Sequence, residues 1–320
     1  MRLGQGDAAR PTTRLRALID THRPLVVPGC FNAMSARILE HAGFPAVYMS
    51  GYGTSLNLLG LPDAGLATLT EMALNARLIA AAVKVPLIAD ADTGFGNAIN
   101  VVRTVEEYIR SGVAGLHLED QVAPKRCGHV AGREVIARDE AVLKIRAAAR
   151  TRDALDRDFV IIARTDARGA HGGSLDEAIA RANAFLEAGA DLAFVEGPKD
   201  VEEVARIGRE VKGPVFYNMT GISPRLSAEE MAALGIRVCI LPGAAMRATI
   251  MAIHDFATAL KQDGPMAEAA YDARFRQHPM GNLHGFAGFD RIREMEAEFL
   301  TEDAARKYEG GLGYAPKAAE

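Results

Sequence analysis

Eight short runs of apolar, mostly β-branched or aromatic residues recur between residues 24 and 265, alternating with longer, Ala-rich segments that carry charges. The runs span residues 25–27, 46–49, 85–89, 114–118, 159–163, 192–195, 215–217 and 238–241. Strand-like runs that alternate with helical patterns are typical of repeated βα units. Eight units over roughly 240 residues match the ~250 residues of a (β/α)₈ barrel. The sequence therefore predicts an α/β fold, a TIM-type (β/α)₈ barrel over residues 24–265, in preference to a doubly wound open sheet.

Four of the predicted helices end in a glycine that stands shortly before the next predicted strand: Gly43, Gly112, Gly189 and Gly235. Glycine just after a helix is the usual residue of a left-handed cap. The regular repeat of this ending favours one repeating domain over two.

Two segments flank the predicted barrel. Residues 1–23 contain a predicted helix, and residues 266–320 form a predicted helical extension. In the extension, Phe286, Phe289, Ile292, Met295 and Phe299 follow a spacing that indicates an amphipathic helix. Its apolar stripe could close the surface of the barrel or pack on another subunit, and the pattern does not separate the two.

Composition excludes several classes of protein. The chain has 320 residues, 49% of them hydrophobic, and a net charge of −4 with both signs interspersed, so neither a nucleic-acid partner nor disorder is expected. We expect no membrane span and, because the amino terminus lacks an apolar signal stretch, a cytoplasmic protein. Three widely spaced cysteines (Cys30, Cys127 and Cys239) argue against a disulfide framework and a zinc site.

Polar residues follow the predicted strands directly, at the end of a barrel where active sites lie. They are Tyr48, Ser50 and Gly51 after the second strand, Asp90 and Asp92 after the third, Glu119 and Asp120 after the fourth, Arg164, Thr165 and Asp166 after the fifth, Glu196 after the sixth, and Asn218 and Thr220 after the seventh.

Asp90 and Asp92 are two residues apart, a spacing that places both side chains on one face of a strand. Glu119 ends the neighbouring predicted strand. Three converging carboxylates, with no lysine on the same strands, repel one another unless a cation lies between them. Oxygen ligands of this kind predict Mg²⁺, or Mn²⁺ in its place, rather than zinc.

Cys127 lies in a polar loop after the fourth predicted strand, beside Lys125, Arg126 and His129. Neighbouring cations lower a thiol pKa from ~8.5 toward neutrality, which would suit Cys127 to proton transfer. By contrast, Cys239 lies in an apolar strand and is expected in the core, and Cys30 is ambiguous.

The chain from about residue 24 to residue 262 resembles the isocitrate lyase/phosphoenolpyruvate mutase superfamily. The motifs that carry the resemblance are Tyr-Met-Ser-Gly at 48–51, Leu-Gly-Leu-Pro-Asp at 59–63, Asp-Ala-Asp-Thr-Gly-Phe-Gly at 90–96, His-Leu-Glu-Asp-Gln at 117–121, Lys-Arg-Cys-Gly-His at 125–129 and Ala-Arg-Thr-Asp-Ala at 163–167. The Lys-Arg-Cys-Gly-His loop resembles the lyase branch, that of 2,3-dimethylmalate lyase and 2-methylisocitrate lyase.

The resemblance implies roles for individual residues. It places Asp63, Asp90, Asp92 and Glu119 around a magnesium ion, and Lys125 and Cys127 on a loop that closes over the site. It implies a substrate shell of Ser50, Gly51, His129, Arg164, Glu196, Asn218 and Thr220, with Tyr48 beside it as a candidate catalytic residue. It also implies a homotetramer in which subunits exchange carboxyl-terminal helices.

The implied reaction is the cleavage of a small 2-hydroxy dicarboxylate to pyruvate or glyoxylate and a second carboxylate, with Cys127 protonating the carbanion. The base is either Tyr48 or a metal-bound carboxylate. Arg164 would bind a substrate carboxylate through its planar fork, with structural pairing to Asp166 as the alternative. Many members of the family read Asn-x-x-Glu where this chain has Asn218-Met219-Thr220-Gly221. Hydrolysis of oxaloacetate or a related 2-oxo acid is a second hypothesis, and a non-catalytic barrel that binds a dicarboxylate is a third.

Overall fold

A computed structural model of the chain describes residues 9–301, 306–308 and 311–316. Its contacts divide the chain into two compact units, Met1–Ala248 and Thr249–Glu320. In the described part of the chain, no helix combines the length and the apolar character that crossing a membrane requires.

The first unit contains a closed barrel of eight parallel strands in sequence order. The strands are β1 (Leu25–Cys30), β2 (Val47–Met49), β3 (Leu87–Asp90), β4 (Gly115–Glu119), β5 (Val160–Thr165), β6 (Leu192–Val195), β7 (Val215–Asn218) and β8 (Ile236–Leu241). The first strand closes the barrel by pairing with the last, with Leu25 opposite Val238 and Pro28 opposite Leu241. The predicted (β/α)₈ barrel is confirmed.

Helices precede the barrel and connect its strands. They are α1 (Pro11–Thr21), α2 (Ala33–His41), α3 (Gly51–Leu59), α4 (Leu69–Ala82), α5 (Ala98–Arg110), α6 (Arg138–Leu155), α7 (Leu175–Glu187), α8 (Val201–Glu210) and α9 (Ala228–Ala233). Most begin at a polar cap. At Thr68, for example, the hydroxyl accepts a hydrogen bond from the Glu71 amide, and the Glu71 carboxylate accepts one from the Thr68 amide. The four predicted cap glycines all have positive φ, between 78° and 108°, as a left-handed helix ending requires.

The barrel strands are buried on both sides, which is why they read as continuous apolar runs. Side chains that point inward, including Val27, Ile162 and Phe216, form a central core. Leu15 and Ile19 of α1 belong to the same core, and Arg16 donates to the backbone oxygens of Asp158 and Phe159 just before β5. Helix α1 therefore covers the amino ends of the strands and leaves the carboxyl ends free for a site.

Closure of the barrel leaves no room for a side chain at position 29. A Cβ on Gly29 would lie 2.2 Å from the backbone oxygen of Pro242, and neither backbone can move without disturbing the pairing of β1 with β8. We expect Gly29→Ala to lower the free energy of unfolding by about 1–3 kcal/mol or more, the range for overpacked interiors. Urea unfolding measures this, and a midpoint equal to that of the unchanged protein would contradict it.

The second unit contains most of α10 (Ala244–Asp263), followed by α11 (Met266–Arg276), α12 (Leu283–Ala287), α13 (Phe289–Phe299) and a short 3₁₀ turn, Arg306–Tyr308. The apolar stripe predicted as one helix is divided at Gly288, whose φ of 104° ends α12. No residue of α10 to α13 is buried, and Phe289 and Phe299 are 46% and 59% exposed.

Candidate active site

A cavity of about 430 Å³ opens at the carboxyl ends of the strands. Ten of the fourteen predicted site residues line it: Tyr48, Ser50, Asp63, Asp90, Cys127, His129, Arg164, Glu196, Asn218 and Thr220. The other four are Gly51, Asp92, Glu119 and Lys125, and each is in contact with a lining residue. The structure thus brings together residues from strands β2 to β7 and from the connections that follow these strands.

An ammonium group lies among the predicted metal ligands. Lys125 is 4% exposed; its Nζ is bonded to the Asp63 carboxylate and lies 2.8 Å from Asp92 Oδ1. These carboxylates hold the pKa of Lys125 well above its usual value, although burial opposes the shift. Strands β3 and β4 contain no lysine, as the sequence analysis noted, and Lys125 reaches the acids from the loop after β4.

Asp90 is fixed by three donors. The amides of Gly51 and Asp92 donate to its two carboxylate oxygens at 3.0 and 2.9 Å, and His117 Nε2 lies 3.1 Å from Oδ1. Burial alone would raise the pKa of Asp90, but His117 and Lys125 together lower it below its ordinary value. Asp90 is therefore a rigid, ionised carboxylate at neutral pH.

The Gly51 amide, which the family resemblance assigns to the substrate, donates to Asp90 in this structure. A Cβ on Gly51 would lie 2.3 Å from Asp90 Oδ2. Ser50 caps α3 by accepting a hydrogen bond from Gly53, which leaves its hydroxyl hydrogen available to a ligand.

Asp92 lies beyond the end of β3, in a left-handed conformation with φ of 46°. The alternation of strand side chains, from which we predicted its direction, therefore does not apply to it. A positive φ in a residue other than glycine stores backbone strain and is concentrated at functional sites. Burial raises the pKa of Asp92 to about 6.

Arg164 joins three carboxylates. It makes a two-bond pair with Asp166, at 2.9 and 3.0 Å, and its Nη1 lies 3.3 Å from Glu119 and 3.5 Å from Glu196. The structural pairing with Asp166 is thus present. The guanidinium also lines the cavity, so carboxylate binding by its Nη1 side stays a prediction.

The acid group fits a divalent cation. Asp63, Asp90, Asp92 and Glu119 are hard oxygen donors, and Asp92 Oδ1 has only the Lys125 ammonium, at 2.8 Å, as an ion-pair partner among the described residues. Burial raises the pKa of Glu119 well above its usual value, even with Arg164 and Lys125 nearby, so a further cation beside it would favour its ionised form. Within the described ranges, no three His, Cys, Asp or Glu side chains already stand in a metal-binding arrangement; the Lys125 ammonium pairs with both Asp63 and Asp92.

His117 is a site residue that the sequence analysis did not single out. Its Nε2 lies 2.6 Å from the Tyr48 hydroxyl, and the two rings stack with centroids 5.7 Å apart. Burial raises the pKa of Tyr48 well above its usual value. A histidine inside the apolar strand β4, two residues before Glu119, was the available signal, because residues two apart face the same way.

Cys127 lines the cavity, and hydrogen bonds hold its loop in place. The Cys127 amide donates to the backbone oxygen of Asp63 at 3.1 Å. The Gln121 side chain donates to the backbone oxygen of Arg126 at 2.8 Å and accepts from the Arg126 amide at 3.0 Å. Burial raises the pKa of the Cys127 thiol. The predicted shift toward neutrality is wrong, since Lys125 is paired with acids and burial outweighs the remaining positive charge. Cys30 and Cys239 are buried and free.

His129, Glu196 and Asn218 form another part of the wall. Asn218 Nδ2 donates to Glu196 Oε2 at 3.0 Å and lies 3.3 Å from His129 Nε2. Burial lowers the pKa of His129, although Glu196 opposes the shift. Three polar atoms here, His129 Nδ1, Glu196 Oε1 and Asn218 Oδ1, are buried without a hydrogen-bond partner among the described residues. Buried polar atoms of this kind mark a place for a ligand or water.

Arg247, in the first turns of α10, also lines the cavity and was not predicted. Within the ranges that the structure describes, no ion pair of its side chain is found, in contrast to Arg164. A basic residue shortly after the last strand was the only signal in the sequence.

Comparison with known proteins agrees with this geometry. Residues 15–261 match the family model described as phosphoenolpyruvate phosphomutase. The chain is 46% identical to 2,3-dimethylmalate lyase of Eubacterium barkeri over 90% of this chain and 98% of that protein. It is 37% identical to 2-methylisocitrate lyase of Aeropyrum pernix over 93% and 95%.

Solved structures show the same likeness. A 2,3-dimethylmalate lyase structure superposes with a TM-score of 0.84 at 36% identity, covering 96% of this chain and 100% of that one. An oxaloacetate acetylhydrolase with 3,3-difluorooxalacetate gives 0.81 at 38% identity, covering 90% and 96%. A phosphonopyruvate hydrolase in complex with oxalate and Mg²⁺ gives 0.81 at 31% identity, covering 92% and 100%.

The lyases among these relatives support the predicted activity class, a carbon–carbon lyase. Taken with the acid group, the barrel and the cysteine loop, the comparisons show that the chain belongs to the phosphoenolpyruvate mutase/isocitrate lyase superfamily.

Proposed function

We propose that this protein is a magnesium-dependent lyase that cleaves a small 2-hydroxy dicarboxylate, of the 2,3-dimethylmalate or 2-methylisocitrate type, to pyruvate or glyoxylate and a second carboxylate. One observation carries the proposal: a single cavity contains a buried acid group, the partly buried thiol of Cys127 and cationic side chains that can bind carboxylates. Those are the three parts that such a cleavage requires.

The metal ligands would be Asp63, Asp90, Asp92 and Glu119, which hold Mg²⁺, or Mn²⁺, directly or through waters. When bound, the ion supplies Lewis acidity that lowers the pKa of the substrate's 2-hydroxyl group. The fixed orientation of Asp90 and the excess of acid over base support this assignment. Lys125 pairs with Asp63 and Asp92 and would move aside from Asp92 when the ion binds.

The chain's own residues handle the protons. A base takes the proton of the 2-hydroxyl; a site carboxylate is favoured over Tyr48, because burial raises the pKa of Tyr48 and keeps it protonated at neutral pH. The oxygen's electrons form the carbonyl, the C2–C3 bond breaks, and its electron pair stays on the carboxylate fragment. Cys127 then donates its thiol proton to that carbon. A thiol whose pKa is raised by burial is protonated at neutral pH, so it is a ready acid, and the thiolate recovers its proton from solvent after product leaves.

The substrate's carboxylates face cationic and amide groups. Arg164 and Arg247 line the cavity together with His129, Asn218 and Thr220, and a free guanidinium pairs strongly with a carboxylate. The loop of residues 121–133, anchored through Gln121 and Asp63, would keep water from the carbanion until Cys127 has acted.

Hydrolysis of oxaloacetate is the second candidate, favoured by the likeness to oxaloacetate acetylhydrolase. Release of glyoxylate or pyruvate from isocitrate, 2-methylisocitrate and 2,3-dimethylmalate, and release of oxalate from oxaloacetate, test the choice. We expect turnover of a 2-hydroxy diacid; turnover of oxaloacetate alone would replace the lyase by a hydrolase, and turnover of none would favour a non-catalytic binding barrel.

Arg164→Lys is expected to raise KM and to lower kcat/KM by about 2 kcal/mol or more, because lysine cannot reproduce the planar fork. Arg168→Lys is the matched control: Arg168 makes a similar two-bond pair, at 2.8 Å, with Glu203 but does not line the cavity. An unchanged kcat/KM for Arg164→Lys would leave Arg164 only its structural pairing with Asp166.

We also propose that the protein is a cytoplasmic homotetramer whose subunits exchange carboxyl-terminal helices. The apolar residues of α10 and α13 support an intersubunit role, since Ile250, Met251 and Ile253 are 52%, 65% and 62% exposed. Exposed apolar patches of this kind mark interaction surfaces.

A further inference from the structure

A second guanidinium group lies behind Arg164. Arg133 is 5% exposed, and its Nη1 donates to Asp166 Oδ1 at 3.0 Å. Arg164 Nη2 donates to the same oxygen at 3.0 Å, and Arg164 Nε donates to the other carboxylate oxygen at 2.9 Å. The two arginines therefore share one buried carboxylate, and Arg164 is the member of the group that lines the cavity.

The loop after β5 fixes the position of Arg133. The His171 amide donates to the Arg133 backbone oxygen at 3.0 Å. A Cβ on Gly169 would lie 2.0 Å from Arg133 Nη2, so the guanidinium fills the space that a side chain at position 169 would need. Arg133 Nε is buried without a hydrogen-bond partner among the described residues. Such an unpaired donor costs stability, so a purely stabilising role explains this arginine poorly.

Arg133 changes the charge that Arg164 offers to a ligand. Burial opposes the charge of Asp166, but Arg164 and Arg133 together hold its pKa below the usual value, so Asp166 is ionised at neutral pH. A pair of Asp166 with Arg164 alone would be close to neutral, and Arg164 Nη1 also lies near Glu119 and Glu196. Those surroundings would repel an anionic ligand. A carboxylate that is shared by two guanidinium groups leaves one positive charge over.

We propose that Arg133 is a positioning residue: by pairing with Asp166, it leaves the positive charge of Arg164 available to a carboxylate of the substrate. Arg133 acts through Asp166 and Arg164 and touches no substrate atom. The inference rests on the proposed function for the binding of a carboxylate by Arg164.

Calorimetric binding of oxalate, an unreactive dicarboxylate, in the presence of Mg²⁺ tests the proposal. We expect Arg133→Gln to raise the Kd of oxalate at least tenfold, and Arg133→Lys, which keeps the charge, to raise it less than threefold. The Kd of Mg²⁺, measured without oxalate, should not rise for either variant, because loss of one cation does not weaken the electrostatic binding of another. A merely structural role would weaken the binding of both ligands.

Arg152→Gln is the matched control. Arg152 is 9% exposed and pairs at 2.7 Å with Asp191, which directly precedes β6 at the amino ends of the strands. Its replacement removes a buried arginine of similar exposure far from the cavity mouth, so both Kd values should stay within twofold.

Gly169→Ala is a second variant that displaces the Arg133 guanidinium without removing its charge. We expect a Kd of oxalate at least threefold higher than that of the unchanged protein. In an Arg133→Gln background the same substitution should change this Kd less than twofold, because the group that it displaces is absent.

Several results would overturn the proposal: unchanged oxalate binding by Arg133→Gln or Gly169→Ala, equal losses of oxalate and Mg²⁺ affinity, or an equal loss of oxalate affinity in Arg133→Lys or Arg152→Gln. A Gly169→Ala effect that persists in the Arg133→Gln background, or no binding of oxalate to the unchanged protein, would also overturn it.

The outcomes separate this inference from the proposed function. Turnover of a 2-hydroxy diacid together with unchanged oxalate binding by Arg133→Gln would reject the inference and keep the lyase. The expected pattern of Kd values without turnover of any diacid would keep the role of Arg133 and reject the lyase.

Discussion

Cys127→Ser is expected to lower kcat by at least ~10²-fold while substrate binding persists, because a hydroxyl of far higher pKa replaces the thiol that delivers the proton. The substituted atom is of similar size, so the loop that Asp63 and Gln121 hold should keep its shape. The measurement is kcat on the best substrate of the panel, together with the rate of solvent deuterium incorporation at the new C–H bond of the carboxylate product.

Cys239→Ser is the matched control. Cys239 is buried in β8, and burial raises the pKa of its thiol to about 12, but it does not line the cavity. We expect kcat within several-fold of the unchanged protein. Near-normal turnover of Cys127→Ser would reject Cys127 as the acid and would favour the hydrolase, whose leaving carbanion can take a proton from solvent.

Asp92→Ala is expected to abolish turnover and to leave the fold intact. The Asp92 carboxylate pairs with Lys125 at 2.8 Å. Lys125 keeps its pair with Asp63 when Asp92 is replaced, so the substitution takes away a proposed metal ligand without leaving a buried charge unpaired. Burial raises the folded-state pKa of Asp92, so its ionised form at neutral pH opposes folding. The thermal midpoint of the metal-free variant should therefore not fall substantially.

Turnover and Mg²⁺ binding by calorimetry check this prediction, with Asp176→Ala as a control. The Asp176 side chain is 81% exposed and pairs with Arg206, so its removal should change neither quantity. Normal Mg²⁺ binding by Asp92→Ala would remove Asp92 from the ligand set.

The barrel was predictable from sequence because its strands are buried on both faces and alternate with capped helices. Strand ends were less certain: β1 extends to Cys30, past Pro28, although a proline ordinarily ends a strand prediction. Pro28 is tolerated opposite Leu241 in the pairing with β8. Such details depend on register between distant segments, which a single sequence does not contain.

Within the site, sequence showed which residues approach the barrel mouth but not how their charges combine. Lys125 was predicted to lie on a loop over the site, and its pairing with Asp63 and Asp92 was not foreseen. The pKa of Cys127 was predicted in the wrong direction for the same reason, since cations that neighbour it in sequence are engaged elsewhere or outweighed by burial. Burial and pairing are properties of the folded chain.

Gly221 shows the reverse case. The departure from Asn-x-x-Glu was visible in the sequence, but its meaning depends on His129, a residue 92 positions earlier in the chain (221 − 129). Only the fold shows that the two are in contact, and that a side chain at position 221 would collide with the His129 imidazole.

Metal-dependent formation of a 2-oxo acid from 2,3-dimethylmalate tests the central claim most directly. The initial rate is measured with protein freed of metal by exhaustive EDTA dialysis, then after addition of Mg²⁺. Oxaloacetate is the parallel substrate, and its hydrolysis is followed as release of oxalate. The account predicts no release of pyruvate or its homologues without metal, recovery with Mg²⁺, and a higher kcat/KM for the 2-hydroxy diacid than for oxaloacetate. Full turnover by the metal-free protein, or recovery on oxaloacetate alone, would contradict it.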